Sequence, residues 1–255
     1  MPRSRNLFDP TSDAPYKLSR SKLELFLNCP TCFYLDRRLG IGQPSGPPFT
    51  LNNVVDFLLK REFDAYRMRG DAHPLMRAHQ IKAVPFQHAD LEDWRNNRKG
   101  IQVLDAATNF LFYGAIDDVW VDPKGILTVV DYKATGSEAT PTLDDEWKNA
   151  YKRQMEIYQW LLRHKGFDVS STGYFVYVHA DKNKDALNSK LEFRLHLLPY
   201  EGDDSWVSGA LLEAHRCLMN DEPPSSNENC EWCGYRRAAA TIEKVTYEDP
   251  QRVLF

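Results

Sequence analysis

Two aspartates and a lysine stand on either side of a predicted tight turn, Asp117 before it and Asp131 and Lys133 after it. β-Branched and aromatic runs flank Asp122–Gly125, a pattern typical of a β-hairpin with a three-residue loop that ends in glycine. If the residues on either side of that loop face each other, Asp117 lies opposite Asp131, with their Cβ atoms roughly 5 Å apart. Lys133 then lies on the same face of the sheet, because side chains alternate along a strand.

The two opposed carboxylates repel each other unless a cation lies between them or one of them stays protonated. Hard divalent ions such as Mg²⁺ bind one or two carboxylates together with waters and phosphate oxygens. A lysine beside them can orient an attacking water and stabilise the charge that develops on a phosphate. The pattern therefore indicates hydrolysis of a phosphodiester.

The hairpin register carries this prediction, because an Asp-Tyr-Lys triplet alone is common on solvated sheet faces. The same register places two neighbouring aspartates away from the site. Asp118 points to the opposite face of the sheet, and Asp122 belongs to the turn. These two residues are internal controls for the register.

Three ordered motifs resemble those of the RecB-like branch of the PD-(D/E)XK nuclease superfamily: Gly114-Ala-Ile-Asp117, Asp131-Tyr-Lys133-Ala-Thr-Gly136 and Gln154-Met-Glu-Ile-Tyr158. The resemblance covers the chain from about Ser19 to Tyr235. It implies an α/β fold with a restriction-endonuclease-like core, in which a mixed central β-sheet is flanked by helices.

The resemblance also implies a role for each matched residue. Asp117 and Asp131 are expected to hold Mg²⁺ or Mn²⁺, and Lys133 is expected to be the catalytic lysine. Gln154 and Tyr158 are expected to line the DNA side of the site. The implied activity is that of an exo- or endodeoxyribonuclease in DNA repair, recombination or defence.

One family position differs in this chain. The family has a histidine in a Gly-x-x-x-His helical motif, and the matching segment here is Asn52-Asn-Val-Val-Asp56. Asp56 can still ligate a hard cation, so it is expected as a third metal ligand; a solvated aspartate on a helix is the alternative. The departure favours a second function, a catalytically weak or inactive DNA-binding or scaffold subunit of a repair or defence complex, although Asp131 and Lys133 argue against it.

Four cysteines form two C-x-x-C pairs at opposite ends of the chain, Cys29 with Cys32 and Cys230 with Cys233, and leave Cys217 alone. Four thiolates suit tetrahedral zinc or an iron–sulfur cluster. Such a centre would tie the two ends of the chain together. A redox-sensing or metal-storage module built on these cysteines is a further alternative function.

The choice of metal at the cysteines comes from the resemblance. Repair nucleases of the AddB type and CRISPR adaptation exonucleases build a [4Fe-4S] cluster from one early cysteine, in a Cys-Pro context like Cys29, and three late ones. This chain matches that pattern at Cys230 and Cys233, but it supplies Cys32 in place of a third late cysteine. The resemblance therefore favours [4Fe-4S], with zinc as the close alternative.

Predicted elements place these motifs in one nuclease domain, 19–236, between a flexible arm, 1–18, and a C-terminal tail, 237–255. The expected order is a helix from Ser19 or Ser21, a Gly/Pro-rich loop, a helix over 51–68, the hairpin, a helix over 144–164, a buried strand over 173–179, a strand over 190–198 and a helix over 204–219. The apolar stripe of the 51–68 helix is expected to comprise five residues: Val54, Val55, Leu58, Leu59 and Phe63.

Composition limits the other function classes. The chain has 255 residues and a formal net charge of −4, so DNA contact must depend on local basic patches or on the metal. No apolar run approaches the roughly 20 residues of a membrane span, and Met1–Asn6 lacks a hydrophobic signal region. A cytoplasmic protein without membrane contact is therefore expected.

The last five residues, Gln251–Phe255, form a separate motif. They resemble the Gln-x-x-Leu-Phe peptides that bacterial replication and repair proteins insert into the sliding clamp. The resemblance implies the clamp as a partner. The alternative is a Leu-Phe tail that packs on its own domain.

Overall fold

The computed structural model of the chain describes residues 6–44, 46, 50–136, 140–181, 183, 185, 186 and 188–248, the last five of these by their backbone only. Contacts divide the chain into two compact units, one comprising 1–46, 106–110 and 208–255, the other 47–105 and 111–207. Among the helices of the described ranges, none is long and apolar enough to cross a membrane.

The second unit holds most of the regular structure. Its helices are α3 (Thr50–Arg67), α4 (Pro74–Ala78), α5 (Leu91–Arg95) and α6 (Asn149–His164), with a 3₁₀ turn at Glu146–Lys148 before α6. Its strands are β2 (Val84–Pro85), β3 (Ile101–Asp105), β4 (Phe110–Gly114), β5 (Asp118–Val121), β6 (Leu127–Thr135), β7 (Thr172–Ala180) and β8 (Phe193–Glu201). Phe110, the first residue of β4, is assigned to the other unit.

The central sheet has the order β2-β5-β6-β7-β8. Strands β6 and β7 pair in parallel, while the other neighbours pair antiparallel. The sheet is therefore mixed, as the sequence predicts. The expected strand over 173–179 lies inside it as β7, where continuous apolar residues can be buried on both faces.

The turn between β5 and β6 fixes the register of the site. The Asp122 N–H donates to the Ile126 carbonyl at 3.1 Å, and Gly125 has a φ of +86°, which glycine adopts readily. The ladder then pairs Asp118 with Val130. The structure thus confirms the predicted hairpin register.

Helix α3 packs on one face of this sheet through a single stripe. Val55, Leu59 and Phe63 are buried there against a cluster that includes Trp120, Val130 and Tyr132. Each such side chain contributes about 1.5–3 kcal/mol on burial. The prediction is wrong for two residues of the stripe, because the Val54 and Leu58 side chains are 52% and 53% exposed. Each precedes a buried residue by one position, so it points about 100° away from the buried stripe around the helix axis.

Helix α6 covers the other face. Successive side chains of β6 point to opposite faces, so Tyr132 lies 5.6 Å, centroid to centroid, from Phe63 of α3, while Lys133 lies against Gln154 of α6. Gly114 allows α6 to approach closely, since a Cβ atom there would lie 2.8 Å from the Tyr158 ring. The sheet therefore carries helices on both faces, as expected.

The first unit contains β1 (Tyr16–Ser19), α1 (Arg20–Asn28), α2 (Pro30–Arg37), most of α7 (Val207–Met219) and α8 (Glu231–Glu248). Part of the expected arm packs within this unit: Phe8 is buried edge-on against Tyr16, and its N–H donates to the Arg37 carbonyl at 2.8 Å. Helix α8 continues past residue 236, where the expected tail begins. The boundaries 1–18, 19–236 and 237–255 remain predictions.

Candidate active site and cysteine cluster

Asp117 and Asp131 lie just past the Asp118–Val130 end of the β5–β6 ladder. Asp117 lies one residue before β5, and the register that pairs Asp118 with Val130 leads next to Asp117 and Asp131. The Asp117 carboxylate turns over β6, where its Oδ2 accepts a hydrogen bond of 2.9 Å from the Tyr132 N–H. Asp131 is fully buried. A buried carboxylate needs positive charge or donors around it.

Lys133 supplies positive charge to the Asp131 carboxylate, and Gln154 supplies a hydrogen-bond donor. The Lys133 ammonium forms an ion pair with Asp131 Oδ2. The Gln154 amide nitrogen donates to Asp131 Oδ1 at 2.9 Å and lies 2.9 Å from the Tyr158 hydroxyl, and the Gln154 amide oxygen lies 3.5 Å from Lys133 Nζ. The four predicted residues on β6 and α6 therefore form one network around a buried carboxylate.

Lys60 is a site residue that the sequence interpretation missed. Its ammonium donates to Asp56 Oδ2 at 2.8 Å and to Asp117 Oδ1 at 3.1 Å. Burial lowers the pKa of Lys60, but Asp117 and Asp56 outweigh burial and raise it. The one available signal was its position four residues after Asp56, one helical turn away.

Asp56 is therefore connected to Asp117 by the Lys60 ammonium, which bonds to both carboxylates. Burial and the charge of Asp117 raise the pKa of Asp56 against the opposing effect of Lys60. Among the described His, Cys, Asp and Glu side chains, the four cysteines are the group of three or more whose ligand atoms all lie within 4.8 Å. Asp56, Asp117 and Asp131 do not form such a group as they stand.

The donor set suits a divalent metal ion. Asp56, Asp117 and Asp131 carry three negative charges, and the ammonium groups of Lys60 and Lys133 that pair with them carry two positive ones. One negative charge therefore remains among these five side chains. All the acidic ligand atoms are carboxylate oxygens, which Mg²⁺ and Mn²⁺ prefer.

Asp118 lies on the opposite face, as predicted, and is fully buried. Its carboxylate pairs with the Arg67 guanidinium, accepts from Arg95 at 3.3 Å, and accepts from the Tyr132 hydroxyl at 2.7 Å. Arg95 also donates to the Asp117 carbonyl at 3.0 Å. This buried group, here called the Asp118 network, fixes the backbone that carries Asp117.

Asp122 also has its predicted place in the turn. Its Oδ1 accepts hydrogen bonds of 2.8 Å from the N–H groups of Lys124 and Ile126. Both internal controls for the register therefore lie away from Asp131 and Lys133.

Two aromatic rings continue outward from Lys133. Its Nζ lies 4.5 Å from the Tyr151 ring centroid, a cation–π distance. The Trp147 ring packs edge-on against Tyr151, with 5.4 Å between centroids. Trp147 is 62% exposed, so the row of rings extends from the lysine to solvent.

The four paired cysteines meet in the first unit and are called the cysteine cluster. Their sulfurs lie 3.6 Å apart for Cys29 and Cys233, 3.6 Å for Cys32 and Cys233, and 3.7 Å for Cys32 and Cys230. Burial raises the pKa of Cys29, but hydrogen bonds from the backbone of Cys32 and Asn227 and from neighbouring thiols lower it to about 6. The structure thus confirms that the four cysteines can share one metal.

Side chains near the cluster join the two segments that supply it. The Thr31 hydroxyl donates to the Pro224 carbonyl at 2.7 Å, and the Asn227 amide donates to the Asn28 carbonyl at 3.2 Å. Cys217 stands apart from the cluster: its thiol lies 3.8 Å from the Pro30 carbonyl, and burial raises its pKa to about 11.

Comparison with known proteins gives one family match. The sequence model of the PD-(D/E)XK nuclease superfamily matches residues 50–238, which include the whole of the carboxylate site. The crystal structure of SSO0001 aligns with 87% of this chain and 84% of its own chain, with 15% sequence identity and a TM-score of 0.43. No curated protein sequence matches the chain.

Proposed function

Because this chain belongs to the PD-(D/E)XK nuclease superfamily, we propose that it hydrolyses DNA phosphodiester bonds with the help of a divalent metal ion. The observation that carries the proposal is the association of Asp117, Asp131 and Lys133 at one end of the β5–β6 ladder. The RecB-like branch, the exo- or endonuclease action and a role in DNA repair, recombination or defence are parts of the same proposal.

Asp117 and Asp131 are the proposed metal ligands, with Asp56 as a third that must leave Lys60 to reach the ion. A bound Mg²⁺ or Mn²⁺ would activate a coordinated water and polarise a phosphate oxygen. Its two positive charges would exceed the single negative charge left among the five side chains. The surplus matches the single negative charge of a phosphodiester.

Lys133 is the proposed residue for aligning the water and offsetting charge on the phosphate. Gln154 contacts both Asp131 and Lys133, so it holds the proposed metal ligand and the proposed catalytic lysine in position relative to each other. Tyr158 is nearly fully buried beside Gln154. We therefore assign Tyr158 to positioning Gln154, in addition to its expected place on the DNA side.

A cleavage assay with Mn²⁺ on defined single- and double-stranded DNA tests the proposal. Lys133→Ala should lose cleavage, whereas Lys124→Ala, which removes an exposed lysine from the turn of the same hairpin, should retain it. Equal activity of the two variants would refute the assigned role of Lys133. Absence of cleavage in the wild-type protein on both substrates would refute the nuclease function.

A DNA-binding scaffold is the second candidate, and Lys60 is the observation that favours it. An ammonium that bridges Asp56 and Asp117 lowers the need for a metal at these carboxylates. For this function, the wild-type protein would bind DNA equally well with and without Mn²⁺ and would leave it intact. Metal-dependent cleavage would exclude the scaffold as the sole function.

For the cysteine cluster we propose a structural zinc ion. Four thiolates at the Zn–S distance of about 2.3 Å in a tetrahedron have sulfurs about 3.8 Å apart. Three of the sulfur–sulfur distances in the cysteine cluster are 3.6–3.7 Å, and all four sulfurs lie within 4.8 Å of one another. A [4Fe-4S] cluster places four irons between the thiolates and needs wider spacing. Metal analysis with an anaerobic absorption spectrum tests this: colourless protein with one zinc supports the proposal, and brown protein containing iron refutes it.

We also propose that Gln251–Phe255 binds the bacterial sliding clamp and that the protein is cytoplasmic. These residues lie outside those that the structure describes, so the proposal depends on the motif alone. Titration of a clamp protein with the five-residue peptide is the test. A peptide in which Ala-Ala replaces Leu-Phe is the matched control. If the native peptide binds the clamp no better than this control, the clamp is eliminated as a partner.

A further inference from the structure

Trp147 is placed unusually for a large aromatic residue. Indole side chains are highly buried on average, whereas Trp147 is 62% exposed. Its ring nevertheless contacts the site, because it packs edge-on against Tyr151, whose own ring lies 4.5 Å from Lys133 Nζ. The exposed indole is therefore two contacts away from the proposed catalytic lysine.

The backbone under Trp147 is fixed by the next residue. Lys148 is buried, and its ammonium donates to the Thr142 carbonyl at 2.8 Å and pairs with Asp145 at 2.6 Å. The Lys148 N–H also donates to the Asp145 carbonyl at 2.9 Å. A buried lysine with these partners holds the short 3₁₀ turn in place. The Trp147 indole is therefore kept in solvent while the Lys148 side chain is buried.

An exposed aromatic ring next to a proposed phosphate-binding site suits one ligand in particular, an unpaired nucleobase. Every base has a π-face that stacks on an aromatic side chain, and this interaction is tolerant of sequence. Bases within a duplex already stack on their neighbours and offer no free face. A row of rings that ends at a lysine suits a single strand whose phosphate lies at Lys133.

We propose that Trp147 and Tyr151 form a stacking subsite for an unpaired base next to the scissile phosphate, which makes single-stranded DNA or a single-stranded end the substrate class. This inference rests on the proposed nuclease function for the position of the phosphate. Trp147 is the outer platform. Tyr151 links it to Lys133.

Binding without cleavage is the first measurement. With no divalent metal added, fluorescence anisotropy measures Kd for a labelled single strand and for a blunt duplex. Trp147→Ala should weaken single-strand binding about 5- to 150-fold, the range for one base–aromatic stack, and leave duplex binding unchanged. Trp147→Phe should keep part of the affinity, because it keeps a ring.

Trp232→Ala is the matched control. Trp232 is also an exposed tryptophan, at 44%, but it lies in the first unit. This variant should bind both DNAs as the wild-type protein does. Circular dichroism should show that all three variants fold, since each change affects an exposed side chain.

Substrates with one abasic nucleotide provide the second measurement. Moving the abasic position along the strand should reveal one position at which wild-type affinity falls as much as in Trp147→Ala. At that position the abasic change and Trp147→Ala together should cost no more than either alone, because both remove the same stack. Additive losses, or equal single-strand affinity of wild type and Trp147→Ala, would overturn the subsite.

The same experiments separate this inference from the proposed function. If the protein does not cleave DNA with Mn²⁺ yet binds single strands through Trp147, the nuclease function fails, while Trp147 is retained as a stacking site for an unpaired base without a scissile phosphate beside it. If it cleaves DNA and Trp147→Ala changes neither single-strand binding nor KM, the subsite fails and the nuclease function holds.

Discussion

Asp117 and Asp118 are adjacent in sequence, and the structure predicts opposite consequences for the same substitution at each. Asp118 is fully buried and accepts from Arg67, Arg95 and the Tyr132 hydroxyl. Asp118→Asn keeps the volume of the side chain but removes the fully buried one of the two carboxylates, Asp118 and Asp64, that pair with the buried guanidinium groups of Arg67 and Arg95. Breaking a buried ion pair on one side costs about 3–5 kcal/mol.

That free-energy loss translates into a measurable shift of the melting temperature. For a chain of about this size each kcal/mol lowers Tm by about 2–4 °C, so Asp118→Asn should lower it by roughly 6–20 °C. Asp117→Asn should lower it far less, because the Asp117 side chain is 22% exposed and asparagine can still accept from the Tyr132 N–H. It should instead reduce cleavage on the order of 100-fold or more, since it removes the charge of a proposed metal ligand.

Thermal unfolding followed by circular dichroism, together with the Mn²⁺ cleavage assay, tests both halves. Asp93→Asn is the control for a general effect of replacing aspartate, because Asp93 forms an exposed pair with Lys99, worth about 0–1 kcal/mol. A Tm for Asp118→Asn within 2 °C of the Asp93→Asn value would refute the structural role of the Asp118 network. Full cleavage activity in Asp117→Asn would refute the assignment of Asp117.

Three further predictions concern the charged and thiol groups. Cys233→Ser should lose the metal of the cysteine cluster and lower Tm, whereas Cys217→Ala should keep the metal; equal metal content in the two variants by elemental analysis would contradict the cluster. Lys60→Met should tighten Mn²⁺ binding, measured by calorimetry without DNA, by roughly 5-fold or more, because unit charges 4 Å apart interact with about 1–4 kcal/mol; unchanged affinity would show that the ammonium does not compete with the ion. Burial raises the pKa of Asp36, but Arg37 and Lys22 outweigh it and lower the pKa below 3.8, so this carboxylate stabilises the fold above about pH 4 and the stabilisation is lost as the pH falls through the lowered pKa. The wild-type advantage over Asp36→Asn in urea unfolding, about 1–2 kcal/mol at pH 7, should therefore shrink below pH 4, and an advantage that grows there would reverse the sign of the argument.

The sequence by itself determined the hairpin and the face on which each of its acids lies. A three-residue loop that ends in Gly125 leaves one register, and strand alternation then separates Asp118 from Asp131 and Lys133. The pairing of C-x-x-C motifs likewise predicted the cysteine cluster. These features follow from local rules, because neighbouring residues or a repeated spacing specify them.

Only the tertiary structure decided the partners of those residues. Lys60 reaches Asp117 across 57 positions of the chain, and its contact depends on how α3 docks on the sheet. The same docking leaves Val54 and Leu58 exposed although both are apolar. Which helix face packs against which strand sets the side-chain partners between distant elements. That packing depends on the free energy of burying apolar side chains over the whole core, which no single segment of the sequence encodes.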